Sequence, residues 1–235
     1  MSFVEAIGRI TGALLAPLAA AGSALRRARL FHPEGVLYRA EVEPLAETSL
    51  ARGLAGSAWV RLSGAVFRSR ALPDILGAAV RFHPGEPREQ DLLFATFRSV
   101  LTLPFAVFTT NHRDFLANTY STVLPSRAPG NGRVLFRLVP EHVGPGPGDR
   151  DARLQRAVRE GQAAFALEVR GRVGWPSWER VARVILRERM EGGGEELRFN
   201  PWHAGLGIEP AGFFQAWRAV VYPASQLGRA LVRNG

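Results

Sequence analysis

Few groups in this chain can do chemistry. There is no cysteine, which removes thiol nucleophiles, thiolate zinc sites, cysteine-ligated iron–sulfur clusters and disulfides together. Nitrogen ligands come only from His32, His83, His112, His142 and His203, and no two have the i,i+4 spacing of a helical zinc pair, so a metallohydrolase is a weak reading. His32, between Phe31 and Pro33, offers an imidazole for proton transfer, yet taken alone it reads as an ordinary half-buried histidine. Arg218 and Tyr222 lie four residues apart, on one face of any helix that runs through both. With 30 basic residues and 3 Tyr in 235, such a pair means little by itself.

All 30 basic residues are Arg, against 21 acidic ones, for a net charge of +9. Planar, permanently charged guanidinium forks suit phosphates and carboxylates. The Arg residues are scattered, without a basic tail or a nucleic-acid recognition motif, so nucleic acid is set aside as a partner. Apolar stretches are cut by charge short of the roughly 18 residues a spanning helix needs, and a cytoplasmic home is the simplest expectation.

The elements that must position these groups fall into two parts. Residues 1–28 carry Phe3, Ile7, Ile10, Leu14 and Leu18 at helical spacing and read as an amphipathic arm, broken near Pro17 and Gly22. The arm packs on the body or on a partner subunit, or rests on a membrane surface. Residues 29–235 read as one domain. Strands are expected at 36–42, 58–62, 78–82, 134–138, 164–169 and 180–187, several apolar on both faces, as in a barrel lining an apolar cavity. Short helical or irregular connections are expected at 91–98 and 113–120, and a helix over 211–232 interrupted at Pro223. Gly144-Pro-Gly-Pro-Gly148 reads as a surface loop within the domain.

In order along the chain, several stretches resemble the haem-dependent catalase superfamily. Arg29-Leu-Phe-His32-Pro-Glu-Gly35 is similar to its Arg-x-x-His-Ala-x-Gly strand, Val60-Arg61-Leu62-Ser63 to its Val-Arg-Phe-Ser strand, and Gly77-Ala-Ala-Val-Arg81-Phe82 to its Gly-Phe-Ala-x-Lys-Phe segment. Phe199-Asn-Pro201, Gly207-Ile-Glu-Pro210 and Arg218-Ala-Val-Val-Tyr222-Pro223 resemble the family's Phe-x-Pro, Gly-Ile-Glu-Pro and Arg-Leu-Phe-x-Tyr-Pro, the last two being the most specific. Phe115-Leu-Ala-Asn118-Thr-Tyr120 further resembles the short catalase-like and allene oxide synthase branch.

The resemblance implies an α+β fold, a catalase-like antiparallel β-barrel with flanking helices and the N-terminal arm, binding haem b. It implies Tyr222 as proximal iron ligand, its phenolate favoured by Arg218 one helical turn away. Arg29, Arg61 and Arg229 would pair with the haem propionates, His32 would shuttle a proton between peroxide oxygens, and Ser63 would hold its ring. Where the family places a distal Asn, after Asp91-Leu92-Leu93, this chain has Phe94-Ala95. The chain is also about half the usual catalase length. The expectation is therefore an enzyme of peroxidase or weak catalase type, using hydrogen peroxide or organic hydroperoxides and a small organic reductant, with homo-oligomerisation left open. The alternative is a protein of the same fold that binds haem or an apolar ligand without turnover.

Overall fold

Period-two patterning with β-branched and aromatic residues makes strands the dominant elements among the described residues, and Gly, Pro and Asp end them. The computed structural model describes residues 35–64, 73–97, 102, 105–171, 177–191 and 197–211. Its strands are β1 (Gly35–Pro44), β2 (Gly56–Gly64), β3 (Leu76–Phe82), β4 (Gln90–Ala95), β5 (Tyr120–Ser121), β6 (Ser126–Ala128), β7 (Gly132–Pro140), β8 (Ala164–Gly171), β9 (Glu179–Met190) and β10 (Glu209–Pro210). Helices are α1 (Ser49–Leu54), α2 (Ala106–Thr109) and α3 (Arg150–Arg159), with a 3-10 turn at Phe115–Ala117.

Neighbours in sequence pair antiparallel from β1 to β5, β5 pairs with β7, β7 with β8, β8 with β9, and β9 returns to β1. The ladder closes into an eight-strand antiparallel barrel with no free edge. Strand β6 pairs with β7 outside this ring, and β10 pairs with β6. Register shifts after Arg39 in β1 and Leu167 in β8 mark irregularities that help the sheet bend.

Alternate residues of every long strand point inward. Tyr38, Val60, Leu62, Val80, Phe82, Leu92, Phe94, Phe136, Leu138, Phe165 and Leu167 form one continuous cluster. Nearly all of them have no surface open even to water, so the interior is packed core, which corrects the expectation of an apolar cavity there. Phenylalanines arriving from four strands fill the space that a ligand would need.

Both longer helices bury one side in that core. Thr48 caps α1 by accepting from the Ala51 N–H, and Leu50, Ala51 and Leu54 face inward. Asp149 caps α3 through the Asp151 and Ala152 N–H groups, with Arg156 and Arg159 in the last turn where the helix dipole favours cations. The Gly144–Gly148 loop leads from β7 into α3, after which the chain returns to pair with β7. The segment at 91–98 is corrected from a connection to strand β4, whose polar start at Gln90 and Asp91 conceals a buried strand. No described helix is long and apolar enough to cross a membrane. The arm at 1–28 and the helix expected over 212–232 lie outside the described residues.

Candidate functional site on the outer face of the barrel

Directly opposed residues of an antiparallel ladder share a face. Gly35, Ser63, Gly77 and Ala95 are opposed in succession from β1 to β4, and Ser121 of β5 comes next. One row along stand Leu37, Arg61, Ala79 and Leu93, and beyond them Arg39, Trp59, Arg81 and Asp91. These rows face outward, because the alternate residues enter the core. The outside of a barrel is ordinarily wet, yet here Leu37 is 2% exposed, Ser63 3% and Arg61 4%. Leu37, Ala79 and Phe199 form a separate apolar cluster with Trp59 and Leu197, so the chain around Phe199 supplies part of the cover.

The same row changes character on the far side of the barrel. Ser121 opposes Arg137, Arg137 opposes Glu168 and Glu168 opposes Arg180. Arg137 meets Glu168 at 2.6 Å, Arg180 approaches it at 3.5 Å, and Arg137 also stacks over Trp178. One half of the ring is thus small, uncharged and at least half-buried, and the other is a charged ladder.

Arg61 depends on the glycine opposite its neighbour. A Cβ placed on Gly35 would stand 2.7 Å from the Arg61 Cζ and Nη2 atoms, so the guanidinium folds onto space that any side chain at 35 would occupy. The result is a buried cation at the edge of a floor without large side chains.

A second charged group lies at the other end of these rows. Arg81 donates from Nε to Asp91 Oδ1 at 2.8 Å and from Nη2 to Asp91 Oδ2 at 2.7 Å, and it reaches Glu89 at 3.3 Å. Burial alone would lower its pKa, but the hydrogen bond and charge of Asp91, with Glu89 behind, reverse that and raise it. His203 Nδ1 sits 3.0 Å from Glu89 Oε1 and 3.4 Å from Asp91 Oδ2. The group ties down the chain after Phe199: Arg81 Nη2 donates to the Arg198 carbonyl, Asn200 N–H to Asp91, and Gln90 Nε2 to the carbonyls of His203 and Ile208.

Glu89, Asp91 and His203 bring ligand atoms within 4.8 Å of one another, a spacing that suits a metal ion. Both Asp91 oxygens are already held by Arg81, however, and a dication would be repelled by that guanidinium at close range. Chemically the group is a charge-paired clamp. Its members were not singled out as site residues from sequence. The only signal in the sequence is the apolar run Leu92-Leu93-Phe94 directly after Asp91, which hints at a buried carboxylate but not at its partner 10 positions earlier.

Of the residues expected to form a site, Arg61 and Ser63 are described and lie on one buried face, two apart on β2. Arg29, His32, Arg218, Tyr222 and Arg229 lie outside the described residues. Gly35, three positions after His32, is opposed to Ser63, so β1 begins beside that hydroxyl. Phe94 points into the core, which leaves the Ala95 methyl on the outer row where a donor was sought. No family model and no curated protein matches this chain.

Proposed function

We propose that the chain is a haem-dependent peroxidase or catalase-like oxidoreductase acting on hydrogen peroxide or organic hydroperoxides with a small organic reductant. One observation carries the reading: the outer row of small residues Gly35–Ser63–Gly77–Ala95 on a closed antiparallel barrel, buried at Ser63 and Gly77 and half-buried at its ends, with the Arg61 guanidinium folded onto Gly35. A flat macrocycle needs a floor that large side chains do not cross, and its carboxylates need a desolvated cation at the rim. The small residues of that row and the buried Arg61 guanidinium are what support haem b in this reading.

In this reading Tyr222 ligates the iron, Arg218 holds its phenol ionised, and Arg29, Arg61 and Arg229 pair with the propionates. When bound, haem supplies the redox-active iron at which the peroxide O–O bond is broken. His32 takes the proton from one peroxide oxygen and delivers it to the departing one, and Ser63 fixes the imidazole for both transfers. Ala95 donates nothing to a bound peroxide, so activity leans toward organic hydroperoxides rather than fast disproportionation. The same methyl favours one second reading, a haem- or apolar-ligand-binding protein of this fold without turnover.

The test is an absorption spectrum of the purified chain with added haem, before and after a slight excess of hydrogen peroxide and then of cumene hydroperoxide. A phenolate-ligated ferric spectrum that responds to peroxide supports the enzyme, and the faster oxidant gives the substrate class. A haem spectrum inert to both oxidants supports the second reading. Absence of haem binding, or an unchanged spectrum in Tyr222→Phe, overturns the assignment.

A further inference from the structure

We propose that α2 is a docking element for an anionic lipid surface, with the rings of Phe105 and Phe108 entering the boundary between headgroups and acyl chains. The two residues are three apart and share a side of this single turn, where Phe105 is 66% and Phe108 86% exposed. Large apolar side chains held this far into water are uncommon. They are also held firmly. On the opposite side Ala106 is buried and packs with Ile75, Phe97 and Val107. Just past the turn, Thr110 bonds the Thr96 hydroxyl at 2.7 Å, which in turn accepts from the Leu76 N–H of β3.

Charge points to the occupant. No acidic residue lies between Asp91 and Asp114, and each of those is buried in an ion pair, with Arg81 and Arg153 respectively. The ionisable residues between them are Arg98, His112 and the exposed Arg113. Two protruding rings on a stretch of sequence that carries two Arg and no acidic residue complement an anionic bilayer, where apolar insertion and headgroup attraction add. A protein partner fits less well, because two rings fall short of the roughly 1,000 Å² a specific interface buries. A second copy would bring Arg113 and its net charge of +9 against themselves.

The experiment is co-sedimentation of the full chain with vesicles of phosphatidylcholine alone and of phosphatidylcholine with phosphatidylglycerol. The full chain should partition onto the phosphatidylglycerol vesicles, and Phe105→Ser with Phe108→Ser should weaken this about tenfold or more without altering the circular dichroism. Because the chain has no cysteine, Thr109→Cys, exposed in the same turn and leaving both rings in place, carries a single environment-sensitive dye, whose emission should shift to the blue on those vesicles. Equal binding by the double variant, or a bound chain whose dye does not shift, overturns the proposal and moves the contact elsewhere. A change in oligomer size on substitution in the absence of lipid also overturns it, in favour of a second copy.

Discussion

Arg81 and Asp91 stand directly opposite each other on β3 and β4, and the guanidinium grips both carboxylate oxygens at 2.8 and 2.7 Å. Neither charge has water to fall back on, with Arg81 6% and Asp91 1% exposed. Arg81→Met should cost about 3–5 kcal/mol, because it strands a buried carboxylate, whereas Arg81→Met with Asp91→Leu should recover much of that loss. Urea unfolding measures both. A single substitution costing under about 1 kcal/mol would show that the pair is not a structural clamp.

Two buried tyrosines should respond in opposite ways to loss of their hydroxyls. Tyr120 donates to the Phe115 carbonyl at 2.7 Å, so Tyr120→Phe leaves a buried acceptor unpaired and should cost about 1–3 kcal/mol. The Tyr38 hydroxyl is buried without a partner among the described residues, so Tyr38→Phe should be neutral or stabilising by up to about 1 kcal/mol. Thermal melts of the two variants compare them directly, and a large loss in Tyr38→Phe would contradict the finding of an orphaned hydroxyl.

The same tyrosines set an alkaline limit. Burial pushes the Tyr38 phenol up to about 12, partly offset by Arg189, and raises Tyr120 well above its ordinary value. In the unfolded chain both lose their protons near pH 10. The folded state therefore binds more protons above that pH, so stability is fully present below 10 and falls as pH rises, for Tyr38 between 10 and about 12. The slope is roughly 1.4 kcal/mol per pH unit for each tyrosine. Tyr38→Phe should flatten the decline in denaturant midpoint over that range, and an unchanged slope would count against it.

Gly35 makes room for Arg61, so Gly35→Val should displace the guanidinium. Haem affinity should fall by about tenfold, the equivalent of one weakened charge-assisted hydrogen bond, while the barrel still melts cooperatively. Haem titration reads the first effect and calorimetry the second. Unaltered affinity would remove Arg61 from the set of propionate partners.

Ala95 marks where a donor could be restored. Ala95→Asn should raise the rate of hydrogen peroxide disproportionation relative to turnover of cumene hydroperoxide by roughly ten- to a hundredfold, as a donor aimed at developing charge does. Oxygen evolution and peroxide consumption give the ratio. If it stays constant, the missing amide is not what limits the chemistry.

The six long strands are legible in the sequence because they are runs of apolar and β-branched residues, several apolar on both faces, and closure is legible only as a class. What closes the ring is the pairing of β1 with β9, between segments far apart in sequence and joined by no local signal. Strand β4 is hidden in the sequence because Gln90 and Asp91 look like a loop, and their partners, Arg81 on β3 and the chain near His203, are brought to them only by the fold. Helices α1 and α3 are short, and their caps at Thr48 and Asp149 were the available signs. On the candidate site, Ser63 and Arg61 were readable from a motif. The row that joins them to Gly35, Gly77 and Ala95 depends on strand register, which spacing within one strand does not give.

The return of β9 to β1 also bears on how the chain is made. Translation delivers β1 first, with β2 ready to hairpin onto it, but its other flank stays unsatisfied until Met190 has left the ribosome. Through that interval a strand with an apolar inner face and open backbone groups is exposed to neighbouring nascent chains. The barrel that ends without an edge must pass through a long stage with one, which makes slow synthesis or early termination before β9 the moment of greatest aggregation risk.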